Sequence, residues 1–246
     1  MTAALEVRGL RKRFGGIAVT QDISFSVQPG ERRLIIGPNG AGKTTLFNQI
    51  AGEIASDGGS IHLFGQDVTR LPVRRRAHLG VSRTYQVITL FGRDTLLHNV
   101  VLGMLGVDGR RFEALRTLAS EQELHARARQ VLETVGLGAR ADARASEISY
   151  GEQRRLEIAV AMAQKPRLLL LDEPLAGLSP DERKIVRDLI AAIPRETTIV
   201  MIEHDMDMAL AFAERIALLH YGQLVVDGDR ETVVKDPRTR EVYLGH

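Results

Sequence analysis

Nine residues, Gly37–Thr45 with the sequence GPNGAGKTT, carry the clearest chemistry in the chain. They match the spacing G-x-x-x-x-G-K-[ST], in which glycines let the backbone wrap closely around an anion. The N–H groups of such a loop, and of a helix that follows it, direct partial positive charge at phosphates. Lys43 would reach the terminal phosphates, and the Thr44 hydroxyl would ligate Mg²⁺. The predicted phosphate-binding residues are Gly37, Pro38, Asn39, Gly40, Ala41, Gly42, Lys43, Thr44 and Thr45.

The segments on either side of this loop supply the elements that such a motif needs. Leu34, Ile35 and Ile36 are apolar and the last two are β-branched, so Arg33–Ile36 predicts a buried strand, and Leu46–Ala51 predicts a helix. A strand, a glycine loop and a helix start form the context in which this spacing binds phosphate. A glycine-rich turn that binds nothing is the alternative, and the two flanking elements disfavour it.

A second candidate strand ends in two carboxylates. Leu168–Leu171 is a continuous apolar run, which is typical of a strand buried on both faces of a parallel sheet, and Asp172 and Glu173 follow it. Ligands of open parallel sheets bind at the carboxyl ends of the strands. We therefore expect Asp172 to contact Mg²⁺ and Glu173 to orient or deprotonate the attacking water. An acidic cap of a strand end is the alternative, and the phosphate loop disfavours it.

Two further side chains are candidates by position. Thr197–Ile202 predicts another buried strand, and His204 follows it, at the same predicted sheet edge as Glu173. A lone histidine is more often structural, but this position favours a role near the terminal phosphate. Gln86 carries an amide that can both ligate Mg²⁺ and donate to water, although a single glutamine is not specific.

Composition restricts the remaining possibilities. The 246 residues are 44% hydrophobic and 26% charged, as in an ordinary globular protein, and the net charge of +2 implies no general attraction to nucleic acid. With no cysteine, the chain has no disulfide and no thiolate chemistry, which suits a reducing cytoplasm. Met1–Arg13 lacks a secretory apolar segment, and no apolar run approaches the roughly 20 residues that span a bilayer. Any membrane role is expected to depend on a partner.

The pattern along the chain predicts an α/β protein with an insertion. Leu5–Val27 alternates like antiparallel strands around a turn at Gly15-Gly16, whereas Leu90–Ala163 has helical spacing. We expect one domain over 1–246, with an α/β core of 1–89 and 164–246 that includes an antiparallel β part, and a helical subdomain of 90–163. Other predicted elements are a strand Ile61–Phe64, helices Pro72–His78 and Asp181–Ile193, a hairpin of Arg215–His220 with Gln223–Asp227, and a helix Pro237–Leu244.

A third motif brings these features together. Ser149, Tyr150, Gly151, Glu152 and Gln153 precede a predicted helix Glu152–Ala163, with Ser149 as its N-cap. With the phosphate loop and the acidic strand end, this motif makes the chain resemble the ATP-binding subunit of ABC transporters over nearly its whole length. The resemblance implies a P-loop NTPase (RecA-like) core sheet with an N-terminal antiparallel β subdomain and an inserted α-helical subdomain. It implies ATP and Mg²⁺ as ligands and ATP hydrolysis coupled to transport.

The resemblance also implies roles for particular residues. Ser149–Gln153 would contact the ATP held by the opposite subunit of a head-to-tail dimer, which encloses two ATP molecules. Phe14 would stack on adenine, and Gln86 would contact both Mg²⁺ and the membrane partner. Glu173 would be the catalytic glutamate and His204 the switch histidine. The segment from Ala176 to Asp181 would cross the dimer interface.

Two departures from the family pattern indicate a subfamily. Tyr150 stands where the motif usually has its first glycine, and Ser179 stands where many members carry aspartate. Both are similar to the ATPases of branched-chain amino acid importers. This implies transmembrane permease subunits as partners, a second ATPase subunit that is a paralogue or a copy, and indirectly a substrate-binding protein. The expected location is the cytoplasmic face of the inner or plasma membrane, with no nucleic acid partner.

Several alternatives stay open at this point. Importers of urea, short amides or aromatic acids share much of the pattern, and an exporter, for example of lipid, is less favoured. A non-transport member, in DNA repair or translation, would carry a long coiled-coil insertion or two fused ATPase halves, and the sequence has neither. A P-loop kinase or GTPase would have no place for Ser149–Gln153, and no N-K-x-D guanine motif occurs. The transported molecule does not follow from the sequence of the ATPase, and stacking on Phe14 would accept several purines.

Overall fold

The computed structural model describes residues 2–108, 118–203 and 211–244. Its strands are β1 Leu5–Phe14, β2 Ile17–Val27, β3 Arg32–Ile36, β4 Gly58–Leu63, β5 Gln66–Asp67, β6 Val81–Arg83, β7 Leu168–Asp172, β8 Thr198–Ile202, β9 Arg215–His220 and β10 Gln223–Asp229. Its helices are α1 Lys43–Ala51, α2 Val73–His78, α3 Leu96–Val107, α4 Leu118–Thr134, α5 Tyr150–Ala163, α6 Pro180–Ala191, α7 Arg230–Lys235 and α8 Pro237–Leu244, with short 3₁₀ turns at Gly138–Arg140 and Ala145–Glu147.

The chain forms two compact units. The core unit comprises Met1–Arg83, Arg167–Glu173 and Ile193–His246, and the helical unit comprises Thr84–Pro166 and Pro174–Ala192. By its contacts, α6 therefore belongs to the helical unit. The predicted division of one domain into 1–89, 90–163 and 164–246 stays a prediction.

The central sheet of the core unit places the candidate strands next to one another. Its order is β10-β9-β3-β8-β7-β6, and all neighbouring pairs except β9 with β10 are parallel. In the register of β8, Ile202 is the partner both of Ile35 on β3 and of Asp172 on β7. The phosphate loop and the acidic pair therefore emerge from the same row of the sheet, at the carboxyl edge where ligands bind.

Burial explains why apolar residues predominate in the central strands. Every residue of β3, β7 and β8 is buried, as expected for parallel strands that are covered on both faces. The predicted strands at 33–36, 168–171 and 197–202 are confirmed to within one residue at each end. Arg33 is buried within β3, and its guanidinium is satisfied by Glu31, Asp227 and the carbonyl of Ser26.

The predicted N-terminal antiparallel part is confirmed. Strands β1 and β2 pair antiparallel around the turn at Gly15-Gly16, and the sheet continues in the order β2-β1-β4-β5. Apolar side chains of this sheet share one core cluster with those of β3, β7 and α1. The helix that follows the phosphate loop is thereby fixed by packing as well as by its own hydrogen bonds.

The helical unit has a separate core. Buried side chains of α3, α4 and α5 form it, including Leu96, Val100, Leu132 and Leu156, as the helical spacing predicted. Within the described part of the chain, no helix combines the length and the hydropathy needed to cross a bilayer.

Several boundaries and elements differ from the sequence-based expectations. Helix α1 begins at Lys43 rather than Leu46, β4 begins at Gly58 rather than Ile61, and α6 ends at Ala191 rather than Ile193. The predicted helix start at Glu152 is wrong, because α5 begins at Tyr150, directly after its N-cap Ser149. The short strands β5 and β6 and the helix α7 were not predicted, since two, three and six residues are too few for a periodicity to stand out.

Leu170 tests the central sheet. We expect Leu170→Ala to lower the free energy of unfolding by about 2–5 kcal/mol, because this fully buried side chain would leave a cavity. Ile17→Ala, which shortens a side chain that is 71% exposed, should change it by less than about 0.5 kcal/mol. Because the chain has no tryptophan, urea unfolding followed by far-UV circular dichroism is the suitable measurement. Equal losses in the two variants would contradict the described core.

Candidate active site

The phosphate loop follows β3 and is packed tightly against neighbouring backbone. A Cβ at Gly37 would lie 2.1 Å from the carbonyl oxygen of Leu219, and one at Gly42 would lie 2.4 Å from that of Val19. Both glycines also have positive φ, 148° and 97°. Neither position therefore accepts a side chain without displacing the backbone, and the loop keeps one tight conformation.

Lys43, the first residue of α1, is held inside the loop. Its side chain is buried, and its Nζ donates to the carbonyl oxygens of Gly37 at 2.7 Å and Pro38 at 3.0 Å. Burial lowers the pKa of Lys43, and the nearby charges of Glu173 and Asp172 act in the opposite direction. The ammonium group is thus presented at the N-terminus of α1, where N–H groups add further positive potential.

Asp172 ends β7 almost completely buried, at 1% exposure. Its Oδ2 accepts a hydrogen bond of 2.7 Å from the guanidinium of Arg83 on β6. Burial raises the pKa of Asp172, and the hydrogen bond and charge of Arg83 oppose that rise. The carboxylate is therefore held in one orientation at the carboxyl edge of the sheet.

Glu173 has an unusual backbone conformation. Its φ is +49°, in the left-handed region that non-glycine residues rarely adopt, while its N–H donates to the carbonyl of Ile202 at 3.0 Å. A conformation of this kind costs about 1–3 kcal/mol and persists where the surroundings impose it, often at functional sites. It turns the chain away from β7 directly after Asp172.

Phe14 lies at the end of β1 in the core unit, and 47% of its surface is exposed. The Nζ of Lys12 lies 5.5 Å from the ring centroid, and the same ammonium pairs with Asp57 at 2.8 Å. An exposed aromatic ring next to a cation suits stacking on a planar, electron-rich group.

In the helical unit, Ser149 and Glu152 form a capping box at the start of α5. The N–H of Glu152 donates to the Ser149 hydroxyl at 3.2 Å, and the N–H of Ser149 donates to the Glu152 carboxylate at 2.8 Å. Burial opposes ionisation of Glu152, but the Ser149 hydrogen bond and the charge of Arg140 outweigh it and lower its pKa. Because the Ser149 oxygen accepts, its hydroxyl proton is available to a further acceptor.

Arg154, fully buried on α5, connects this motif to the segment of Gln86. The guanidinium donates to the carbonyl oxygens of Tyr85 at 2.8 Å and Gln86 at 3.1 Å, and to the Tyr150 hydroxyl at 3.1 Å. Glu157 pairs with Arg154 at 2.7 Å and accepts from the Tyr85 N–H at 2.9 Å. The tyrosine in place of the usual glycine is therefore part of the network that fixes the backbone at Gln86.

Local contacts explain why a serine at position 179 and a glycine at position 151 suit the starts of α6 and α5. Ser179 is the N-cap of α6, with Glu182 as the reciprocal partner, so it performs the capping that an aspartate would also perform. A Cβ at Gly151 would lie 2.2 Å from the Glu182 carboxylate. The glycine allows the starts of α5 and α6 to approach each other.

The predicted site residues are distributed between the two units. Phe14, Gly37–Thr45, Asp172 and Glu173 lie in the core unit, whereas Gln86 and Ser149–Gln153 lie in the helical unit. His204 lies outside the described residues. No sequence pattern indicated a role for Arg83 or Arg154, because an arginine at the end of a short strand or within a helix has no distinguishing spacing.

Comparison with known proteins identifies the family. A family model described as ABC transporter matches residues 20–176, which is more than half of the chain. The chain belongs to the ABC transporter family. The ABC transporter ATPases bind and hydrolyse ATP, and this chain is an enzyme of that class.

Individual ABC proteins match over the whole length. The chain is 38% identical to the high-affinity branched-chain amino acid transport ATP-binding protein LivG of Escherichia coli strain K12, covering 98% of this chain and 97% of LivG. It is 35% identical to the lipopolysaccharide export system ATP-binding protein LptB of Acidithiobacillus ferridurans, covering 100% and 98%. The solved ADP conformation of MJ1267, an ATP-binding cassette of an ABC transporter, superposes with a TM-score of 0.87 at 29% identity, covering 100% of both chains.

Gly42 tests the tight loop. We expect Gly42→Ala to lower the thermal unfolding midpoint and to abolish measurable ATP binding, because the added methyl group meets the Val19 carbonyl at a strained φ. Gly16→Ala is the matched control, since a Cβ at Gly16 has no heavy atom within 4 Å and the residue has no positive φ. Titration of ATP by calorimetry and a thermal melt provide the two measurements. Normal ATP affinity in Gly42→Ala would show that the loop accommodates the methyl group without losing its binding conformation, and would contradict the prediction.

Proposed function

We propose that this chain is the ATP-hydrolysing subunit of an importer for branched-chain or other hydrophobic amino acids. The observation that supports this best is the full-length similarity to LivG, whose name states that transport role. Transmembrane permease subunits and a substrate-binding protein would complete the importer. The chain would act at the cytoplasmic face of the membrane, in a head-to-tail pair with a paralogous ATPase subunit or a second copy.

Hydrolysis would depend on charge stabilisation and on placing water. Lys43 and the N–H groups of the loop would offset the charge of the terminal phosphates, together with Ser149 of the partner subunit. Glu173 would orient and deprotonate the attacking water, with His204 as a second contact to the terminal phosphate. Phe14 would stack on the adenine, and the backbone around Gln86 would transmit nucleotide-dependent motion to the permease.

The donor groups of the core unit fit a magnesium ion bound together with a nucleotide. Among the described residues, no group of three or more His, Cys, Asp or Glu side chains forms a metal site of its own. Mg²⁺ is usually held by one or two carboxylates with waters and substrate phosphates, which matches a single fixed carboxylate at Asp172 and a hydroxyl group on the exposed residue Thr44. When bound, the ion would neutralise phosphate charge, and Gln86 is proposed as a further ligand.

Export is a second candidate function. The 35% identity to LptB over the full length is close to the 38% identity to LivG, so the overall similarity separates the two roles only narrowly. Tyr150 and Ser179 favour the importer. An importer of urea, short amides or aromatic acids would give the ATPase the same role and would differ only in the transported molecule.

Glu173 tests the proposed catalytic role. We expect Glu173→Gln to keep ATP affinity but to lower turnover by at least about a hundredfold, because the amide orients water but does not accept its proton. Steady-state phosphate release and ATP calorimetry measure the two quantities. Hydrolysis at the wild-type rate would remove Glu173 from the role of base.

Transport tests the proposed cargo. We expect deletion of the gene to abolish uptake of labelled leucine, and the wild-type gene but not the Glu173→Gln variant to restore it. Labelled urea serves as the parallel substrate. Loss of urea uptake with normal leucine uptake would keep the importer and change its cargo, whereas persistence of both would contradict the amino acid proposal.

A further inference from the structure

Arg83 connects two elements of the core unit at the phosphate site. Its guanidinium donates to Oδ2 of Asp172 at 2.7 Å and to Oδ1 of Asn48 at 2.6 Å, and it pairs with Glu53 at 3.2 Å. Only 6% of the side chain is exposed, and the guanidinium carbon lies 5.7 Å from the ring centroid of Phe47. Arg83 is therefore fixed by contacts on several sides.

The two oxygens that this guanidinium joins belong to different parts of the site. Asp172 ends β7, and Asn48 lies on α1 four residues after Thr44. Residues four apart lie on the same face of a helix, so the side of α1 that carries Thr44 is the side that Arg83 contacts. A planar guanidinium can hold two acceptors at fixed directions, which a lysine ammonium does not do.

We propose that Arg83 is a positioning residue that sets the separation and orientation of the two protein donors to Mg²⁺, the Asp172 carboxylate and the Thr44 hydroxyl. The inference rests on the proposed function, in which these two groups hold the ion. Arg83 would itself contact neither nucleotide nor metal. It acts by fixing the carboxylate and by tying β7 to α1.

The measurable consequence is a change in how strongly Mg²⁺ enhances nucleotide binding. Groups that orient metal ligands typically contribute about 10–100-fold to metal affinity. The phosphate loop, by contrast, would contact phosphates through groups other than Asn48, Asp172 and Glu53, the partners of Arg83 described above. Loss of Arg83 should therefore weaken the magnesium-dependent part of ADP binding and preserve the magnesium-independent part.

Calorimetry with ADP tests this inference. The affinity is measured once with Mg²⁺ and once with EDTA, and the ratio of the two is the quantity compared between variants. We expect Arg83→Met to lower this ratio by about tenfold with little change in the EDTA value. Arg83→Lys should lie between wild type and Arg83→Met, because one ammonium can contact Asp172 without holding Asn48. Asn48→Ala, which removes only the connection to α1, should also lower the ratio.

Arg76→Met is the matched control for losing a buried arginine. Arg76 is 2% exposed and donates at 2.7 Å to the carbonyl oxygens of Gln49 and Ile50, at the other end of α1. We expect this variant to lower the thermal unfolding midpoint and to leave the ratio unchanged. An equal fall in the ratio for Arg76→Met and Arg83→Met would reduce Arg83 to a structural role and overturn the inference.

Asp172→Asn separates the failure of this inference from the failure of the proposed function. If this variant keeps the wild-type ratio, the proposed magnesium site is wrong. If it lowers the ratio but Arg83→Met does not, the site stands and the role of Arg83 is refuted. Should Arg83→Met fail to fold, Arg83→Lys and Asn48→Ala decide, and wild-type ratios in both would overturn the inference.

Discussion

The parallel pairing of β8 with both β3 and β7 is the constraint on which the rest of the site depends. Because Ile202 is in register with Ile35 on one side and Asp172 on the other, the phosphate loop and the acidic pair leave the sheet at the same level. Parallel strands bring their carboxyl ends to one edge, so the distance between the two motifs is set by two strand spacings. The strained backbone at Glu173 and the packing of Gly37 and Gly42 are local adjustments around this arrangement.

Buried arginines connect the elements in both units. In the core unit, Arg76 holds the C-terminal end of α1 and Arg83 holds the face of the same helix against β7. In the helical unit, Arg154 holds the backbone of Tyr85 and Gln86 against α5. A guanidinium offers five donors in a plane, so one buried side chain can satisfy acceptors from several segments. A buried acceptor without a hydrogen bond raises the free energy of the folded state. Each of these arginine contacts therefore favours the one arrangement of elements in which the acceptors are satisfied.

The sequence was sufficient to propose most of the candidate site because its motifs are contiguous. Gly37–Thr45 carries its glycines, lysine and hydroxyl within nine residues, and Ser149 with Glu152 forms a capping box at the predicted N-cap. The exact helix start at Tyr150 could not be predicted, because the ends of helices are not defined by periodicity to within one or two residues. The strand β6 could not be predicted, because three residues are too few to show an alternating pattern. Tyr150 and Ser179 were recognisable as departures, but their partners Arg154 and Glu182 became evident only in the folded helical unit.

By itself, the sequence determined the family and the alternation of strands with helices and predicted the phosphate-binding residues, since these depend on residues close together in the chain. Only the tertiary structure decided that β8 separates β3 from β7, and that Arg83 joins Asp172 and Asn48 across 89 and 35 positions of sequence. The reason is physical. A side-chain contact between distant residues depends on strand order and on the packing of whole elements, and neither leaves a local pattern in the sequence.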